Sequence, residues 1–207
     1  VTSTLCAKTC LKTIAVSMPI RQNKDQHNLS LLQLKWLEDN FDNIETQVIN
    51  LDDIFNSFDH TMKSFNSELA FANSRSRLRM VTLYQIAQSK KGIVVGTGNK
   101  VEDFGVGFFT KYGDGGVDIL PIADCTKTEV WEMGTYLSIM ENIINAKPTD
   151  GLWNDSRNDE QQLGLTYKQI ENSMNDPSSK YYKKYLKIRE INLHKMKPIP
   201  VCKFRKF

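Results

Sequence analysis

The residues best suited to chemistry lie in two short segments near the middle of the chain. The first, Gly96–Glu102 (GTGNKVE), directly follows the apolar run Gly92–Gly96. Its glycines would let the backbone approach a ligand closely, and the oxygens of Thr97 and Glu102 suit a phosphate and a hard cation such as Mg²⁺. The same pattern is also typical of an ordinary turn between a strand and a helix, so both interpretations stay open on spacing alone.

The second segment, Phe108–Asp118, has the sequence FFTKYGDGGVD. Its aromatic rings could enclose a planar group, while Lys111, Asp114 and Asp118 could fix a polar ligand by hydrogen bonds. A glycine-rich turn without a ligand is the alternative interpretation.

Basic side chains at two further places could hold an anion. Arg75 and Arg79 are four residues apart in a predicted helix and therefore share a face, which suits phosphate or carboxylate. Lys127 lies in Thr126–Glu129, a pattern typical of a helix start, where a lysine is unfavourable unless an anion is also present. A solvated basic stripe would explain the arginines equally well.

The elements that must position these residues alternate between short apolar runs and helical patterns. Strands are predicted at Ile14–Met18, Ile44–Ile49 and Gly92–Gly96, and this alternation favours an α/β fold with a doubly wound, mostly parallel sheet flanked by helices. Ligands bind such sheets at the carboxyl ends of the strands. The long stretch 147–164 is predicted to be a structureless loop and a mobile lid. Helices are predicted at Ser3–Thr13, Leu29–Phe41, Leu51–Ser64, Glu68–Ser89, Thr128–Met140, Thr166–Met174 and Lys180–Lys195.

Length and charge restrict the class of protein. The chain has 207 residues, which suits one domain, and a formal net charge of +3, which is too small to indicate nucleic-acid binding. No apolar stretch is long enough to predict a membrane span. The four cysteines form neither a CxxC pair nor a zinc pattern, which favours a reducing, cytoplasmic location.

Together these motifs resemble the NAD synthetase family of the N-type (PP-loop) ATP pyrophosphatases. GTGNKVE followed by FFTKYGDGGVD carries the resemblance, which is close over 75–127 and around Pro148–Thr149. It implies a single domain over 1–207 with an adenine nucleotide alpha hydrolase-like fold, and a homodimeric ligase of NAD biosynthesis. With ATP and Mg²⁺, such an enzyme adenylates nicotinic acid adenine dinucleotide, and ammonia then displaces AMP to give NAD.

The resemblance also implies a role for each matching residue. Lys127 and Glu102 would be the catalytic residues, and Glu102 would also bind Mg²⁺. ATP would contact Ser3, Thr4, Thr97, Lys127 and Thr149, and the dinucleotide would contact Arg79, Lys111, Asp114, Asp118, His194 and Lys195.

The start of the chain departs from the family pattern. The family's phosphate loop reads SGGxDS, whereas this chain begins at the position after SGG and has Thr2 where the family has an aspartate that helps to hold Mg²⁺. We therefore expect that the first strand and most of the phosphate loop precede Val1, and that the chain as it stands binds ATP poorly. A glutaminase domain further upstream is one source of ammonia, and free ammonia is the other.

Two other classes remain open at this point. One is a different ATP pyrophosphatase, either GMP synthetase-like or tRNA-thiolating, although these lack KYGDGG. The other is a degenerate domain that binds a nucleotide without catalysis, which Thr2 favours and the retained Glu102 and Lys127 oppose.

Overall fold

A computed structural model describes residues 1–153, 155 and 157–204. Two parallel strands, β1 (Thr13–Ser17) and β2 (Ile44–Val48), pair with Thr13 opposite Ile44. The connection between them is helix α2 (Lys24–Asn40), which starts where the Asn23 side chain accepts a hydrogen bond from the Asp25 N–H. Its Leu34 and Leu37 are buried, so the helix covers the sheet with its apolar face.

Helices make up most of the remaining regular structure. The longest, α4 (Glu68–Lys90), is capped at its start by Ser67 and stops where Lys91 adopts a left-handed conformation with φ 56°. A π-helix, Lys100–Val106, follows the GTGN segment. The other helices are α1 (Thr2–Lys8), α3 (Asp52–Thr61), α5 (Lys127–Tyr136), α6 (Glu141–Ile144), α7 (Asp159–Leu163), α8 (Tyr167–Asn175) and α9 (Tyr182–Met196), with a 3₁₀ turn at Lys63–Phe65.

The prediction of an α/β fold with a parallel sheet flanked by helices is confirmed. The predicted strand Gly92–Gly96 is reduced, within the described residues, to a single parallel bridge between Val95 and Ile119. The backbone N–H of Val94 explains why the pairing does not extend, because it donates to Asp118 Oδ2 at 2.7 Å and not to a strand carbonyl.

Two apolar clusters fix the elements around the predicted site. One joins the π-helix to α7, α8 and α9 through Val101, Val106, Leu163, Tyr167 and Tyr185. The other packs the end of β1 against α3 and α4. Its members are Ile20, Leu51 and Phe55, with Phe71 and Leu78 packed against them.

The prediction that the stretch 147–164 is structureless is wrong, because this stretch contains helix α7. A capping box between Asn158 and Gln161 starts this helix, and Gly164, with φ 66°, ends it. The part of the predicted lid at Asn154 and Ser156 lies outside the described residues, and its mobility stays a prediction.

Among the described helices, none is both long and apolar enough to cross a membrane.

Candidate active site

Two neighbouring cavities contain many of the predicted site residues, and Asp150 lines both. The first, with a volume of about 400 Å³, has Lys127 and Thr149 on its wall, and we call it the Lys127 cavity. The second, of about 600 Å³, is the Asp114 cavity. Its wall includes Asn73, Arg79, Thr97, Phe109, Asp114 and Lys195.

Lys127, on the wall of the Lys127 cavity, is paired with Glu102, a residue that does not itself line this cavity. Lys127 Nζ lies 2.8 Å from Glu102 Oε1, with side chains only 15% and 16% exposed. The Tyr167 hydroxyl lies 2.6 Å from the same Glu102 oxygen and 2.9 Å from Asp159 Oδ2. Asn99 donates through Nδ2 to the other oxygen of Glu102. Every carboxylate oxygen of Glu102 therefore already has a donor.

The local sequence explains how Lys127 and Glu102 meet. Thr126 and Glu129 form a capping box that starts α5, which places Lys127 in the first turn of that helix. A lysine is unfavourable there, and the carboxylate of Glu102 offsets the repulsion. Asn99 starts the π-helix by accepting from the N–H groups of Val101 (3.0 Å) and Glu102 (3.1 Å). Rare π-helical turns occur frequently at functional sites.

Burial changes the protonation of the acids around Glu102. It raises the pKa of Asp159 to about 6, and it raises the pKa of Asp103 to about 7, with the charges of Asp114 and Glu102 adding to the effect. Burial also raises the pKa of Tyr167. A phenol has one proton for two carboxylate neighbours, so a protonated Asp159 that donates to the Tyr167 oxygen satisfies both contacts.

The Asp114 cavity is organised by hydrogen bonds between α4 and the FFTKYGDGG segment. Ser76 Oγ lies 2.7 Å from Asp114 Oδ1 and 3.0 Å from the Asp114 N–H. The Thr110 N–H donates to the same carboxylate oxygen at 2.9 Å, and the Thr110 hydroxyl donates to Asn73 Oδ1 at 2.7 Å.

Arg79 lies at the carboxyl end of β1, where α/β sheets bind ligands. Its Nε donates to Met18 O at 2.9 Å, and its Nη2 donates to Gln22 Oε1 at 3.0 Å. Burial, followed by the charge of Arg75, lowers the pKa of Arg79 to about 10. Arg75 is buried on the same side of α4 and donates to Leu152 O, so it contacts the 147–164 stretch.

Side chains of α9 donate to successive carbonyls at the end of the π-helix. Arg189 donates to Gly105 O at 2.7 Å, Asn192 to Val106 O at 3.0 Å, and Lys195 to Gly107 O at 2.6 Å. Lys195 also donates to Phe109 O at 2.8 Å, and burial lowers its pKa. Helix α9 therefore holds the segment that carries Glu102.

Three residues predicted to contact the dinucleotide lie outside both cavity walls. Lys111 Nζ donates to the carbonyl of His194 at 3.1 Å, and the His194 side chain is exposed. Asp118 accepts from the Val94 N–H and from the Tyr84 hydroxyl, the latter at 3.1 Å. Their roles in substrate binding stay predictions.

The residues predicted to bind ATP do not all line the same cavity. Thr149 lines the Lys127 cavity, but Thr97 lines the Asp114 cavity. Ser3 is half-buried in α1, and the hydroxyl of Thr4 is buried without a partner among the described residues. Their contacts with ATP stay predictions.

Several residues at the site have no clear signal in the sequence. Three of them, Asn99, Asp103 and Thr110, lie within or directly beside the segments Gly96–Glu102 and Phe108–Asp118. The others come from distant elements and carry no local pattern: Asn73, Ser76, Asp159, Tyr167, Arg189 and Asn192.

The donor set around Glu102 fits a magnesium ion that arrives with a nucleotide. Within residues 1–153, 155 and 157–204, no group of three or more His, Cys, Asp or Glu side chains could hold a metal. Mg²⁺ commonly binds through one or two carboxylates together with substrate phosphates and water. Glu102 alone can supply the protein ligand, provided that Lys127 releases its oxygen.

Comparison with known proteins places these features in a family. The family model described as NAD synthase matches residues 1–204. The NH(3)-dependent NAD(+) synthetase of Carboxydothermus hydrogenoformans is 40% identical over 164 residues, which cover 77% of this chain and 65% of the relative. That of Thermococcus sibiricus is 36% identical over 182 residues, covering 88% of this chain and 68% of the relative.

Two solved structures have folds similar to that of this chain. An NMN synthetase from Francisella tularensis superimposes with a TM-score of 0.89 and 33% identity, over 98% of this chain and 83% of that one. The NH3-dependent NAD synthetase of Campylobacter jejuni, at 23% identity and a TM-score of 0.73 over 97% of this chain and 85% of that one, shows the same fold. The chain spans about two thirds (65%) of the length of the Carboxydothermus relative. On the match over residues 1–204, the chain belongs to the NAD synthase family.

Proposed function

We propose that this chain is the ATP-dependent amide-forming domain that converts nicotinic acid adenine dinucleotide to NAD. The observation that carries the proposal is the adjacency of the two cavities. One has Lys127 on its wall, suited to phosphate and paired with Glu102, whose carboxylate suits Mg²⁺, and the other is lined by aromatic rings, Arg79 and Asp114. Their shared wall at Asp150 would bring two substrates within reach of each other.

The reaction has two steps. An oxygen of the nicotinate carboxylate attacks the α-phosphorus of ATP, the bond from that phosphorus to the bridging oxygen breaks, and pyrophosphate leaves. Ammonia then attacks the carbonyl carbon of the acyl-adenylate, AMP leaves, and one proton is lost to give the carboxamide. No protein nucleophile is needed, so catalysis depends on positioning and on stabilising charge.

Lys127 is the residue that we assign to the departing pyrophosphate. Its ammonium group is held at the cavity wall by Glu102 at 2.8 Å, and a phosphate would compete for it. When Lys127 turns to the phosphate, Glu102 Oε1 keeps the Tyr167 hydroxyl as a donor and gains one lone pair for a cation. Mg²⁺ carried by ATP would supply further positive charge at the phosphates.

The 147–164 stretch would then exclude water from the acyl-adenylate. Thr149 and Asp150 of this stretch line the Lys127 cavity, and Leu152 and Trp153 line the Asp114 cavity. We infer that it acts as a lid over both substrates. The names of the relatives support ammonia as the direct donor. The homodimer and the cytoplasmic location belong to the same proposal, and the ammonia is either free or supplied by an upstream glutaminase domain.

The likeness to an NMN synthetase favours a second candidate substrate. With a TM-score of 0.89 and 33% identity, that structure supports nicotinic acid mononucleotide as the acceptor. The chemistry at the carboxylate would be the same, and only the group beyond the first phosphate would differ.

One assay separates the candidates. The protein is incubated with ATP, Mg²⁺, ammonium chloride and either the dinucleotide or the mononucleotide, and AMP and the amidated product are quantified by chromatography. We expect equal amounts of AMP and NAD with the dinucleotide. Turnover of the mononucleotide alone would select the second candidate. Because the chain is expected to bind ATP poorly, ATP is raised until AMP release no longer increases, and an absence of AMP with both acceptors would then overturn the proposed function.

A further inference from the structure

Ser76 lies on the wall of the Asp114 cavity and is not part of either motif. It is near the middle of α4 and only 7% exposed. Its side chain faces the loop 110–114, whereas Arg77, the next residue, is exposed. A buried hydroxyl in mid-helix requires partners, and here those partners belong to a residue predicted to contact substrate.

Ser76 fixes Asp114 at two points. The hydroxyl has one proton, which it donates to Asp114 Oδ1 at 2.7 Å, and its oxygen accepts the Asp114 N–H at 3.0 Å. The Thr110 N–H donates to the same Oδ1 at 2.9 Å. One carboxylate oxygen is thus fully used, and the orientation of the group is set.

The other oxygen of Asp114, Oδ2, has no hydrogen-bond partner within the described residues. The residue is exposed and lines the cavity. This oxygen can only accept, so its complement is a hydroxyl or an N–H group.

We propose that Ser76 is a positioning residue that holds Asp114 so that its second carboxylate oxygen accepts a hydrogen bond from a donor on a substrate. The proposal rests on the proposed function. Two kinds of substrate offer such donors: the nucleotides, through ribose hydroxyls and the adenine amino group, and ammonia or ammonium, through N–H groups. The nicotinate carboxylate is excluded as the partner, because it is itself an acceptor with the same charge.

The loop is shaped for this contact. A Cβ atom at Gly113 would lie 2.4 Å from Ser76 Oγ, so a larger residue would push the loop away from the serine. Three residues before Ser76, on the same face of α4, Asn73 accepts the Thr110 hydroxyl at 2.7 Å. Helix α4 therefore holds the loop at both ends of the hydrogen-bonded turn.

The test is a double-mutant cycle of Ser76→Ala and Asp114→Ala in the amidation assay, with Ser74→Ala on the same helix as the control. We expect Ser76→Ala to lower kcat/KM about tenfold, since a hydrogen bond to a charged group is removed, and to act mainly on one KM. A raised KM for ATP or for the dinucleotide shows that the donor is on that nucleotide, and a raised KM for ammonium shows that it is the nitrogen source. In the Asp114→Ala background the same change should cost less than twofold.

Three results would overturn the proposal while leaving the proposed function intact. They are an active Ser76→Ala enzyme within twofold of wild type, a cost that persists undiminished in the Asp114→Ala background, and an equal cost from Ser74→Ala. Persistence would mean that Ser76 supports only the backbone of the loop, because its contact with the Asp114 N–H survives in Asp114→Ala. Ser76→Cys, close in volume and a weaker donor, keeps the test open if Ser76→Ala unfolds, and its kcat/KM should lie below wild type. An inactive wild type is a failure of the proposed function instead.

Discussion

The charged groups at the two cavities differ in whether their hydrogen-bonding atoms are already paired within the protein. At the Lys127 cavity the lysine on the wall is paired with Glu102, and Glu102 is paired in turn with Tyr167. In the Asp114 cavity one oxygen of the Asp114 carboxylate is held by Ser76, and the other has no hydrogen-bond partner among the described residues. The Asp114 cavity therefore has an acceptor oriented before a ligand binds. At the Lys127 cavity, a ligand must first replace Glu102 as the partner of Lys127.

The difference distinguishes two ways of stabilising the transition state. A preorganised hydrogen-bonding group stabilises it without rearrangement of the protein. A lysine released from an ion pair becomes available only when a competing anion arrives, which couples the positive charge to the presence of the nucleotide.

The largest expected effect comes from breaking the Lys127 pair. Lys127→Met should lower kcat/KM about 10³-fold, because the phosphate loses its cation and Glu102 loses its counter-charge. Steady-state kinetics measures this. Lys100→Met is the matched control, since Lys100 pairs with Asp124 at the surface, where that acid is 98% exposed. A Lys127 variant within threefold of wild type would remove this residue from the mechanism.

A methyl group at Gly98 should disturb the segment between the cavities. A Cβ there would lie 1.9 Å from Asp103 Oδ2, so Gly98→Ala should cost about 3 kcal/mol of unfolding free energy, with loss of activity. Denaturant unfolding provides the measurement. Gly134→Ala is the control, because its new Cβ would meet nothing closer than 3.5 Å. Equal stability of the two variants would contradict the tight contact.

Asp103 should make stability depend on pH. Its pKa is about 7 in the folded protein against an ordinary 3.8, so the folded state retains a proton that the unfolded state has lost. The stability this provides is complete below about pH 4 and is lost as pH rises through about 7.

Asp103→Asn, which cannot titrate, should therefore gain stability relative to wild type between pH 5 and pH 8, by about 2 kcal/mol. Urea unfolding at both values tests this. Asp124→Asn should give the same difference at both, since the pKa of Asp124 is lowered by Lys100. A pH-independent effect of Asp103→Asn would show that this carboxyl does not titrate in that range.

The smallest effect concerns the hydroxyl that joins two acids. Tyr167→Phe keeps the ring that packs edge-on against Trp131 and removes the contacts with Glu102 and Asp159. We expect a loss of about 1 kcal/mol in unfolding free energy. Tyr185→Phe, in the same apolar cluster but with no hydrogen bond from its hydroxyl to the described residues, should change little. If both variants lose the same amount, the hydroxyl bridge is not stabilising.

Local patterns in the sequence predict the elements well where the whole signal lies within a few residues. Helix α4 is predicted as Glu68–Ser89 and observed as Glu68–Lys90, and β1 is displaced by a single residue. Arg79 and Asp114, predicted to share a substrate, do line one cavity.

The misses arise from contacts that are distant in sequence. Helix α1 ends at Lys8 and not at Thr13, because Asn43 Nδ2 donates to Ala7 O (3.0 Å) and Leu11 O (2.7 Å) and holds a turn there. Tyr167 reaches Glu102 across 65 residues. No periodicity encodes such a pair, so only the folded chain reveals it.

The contacts of α9 also determine when the site can first form during synthesis of the chain. Lys195, Asn192 and Arg189 fasten the carbonyls that end the π-helix, and they follow every other described helix and strand in the order of synthesis. While the ribosome still holds this helix, the segment bearing Glu102 lacks its fastening. A growing chain can thus pair β1 with β2 early and yet remain without a finished site until α9 emerges.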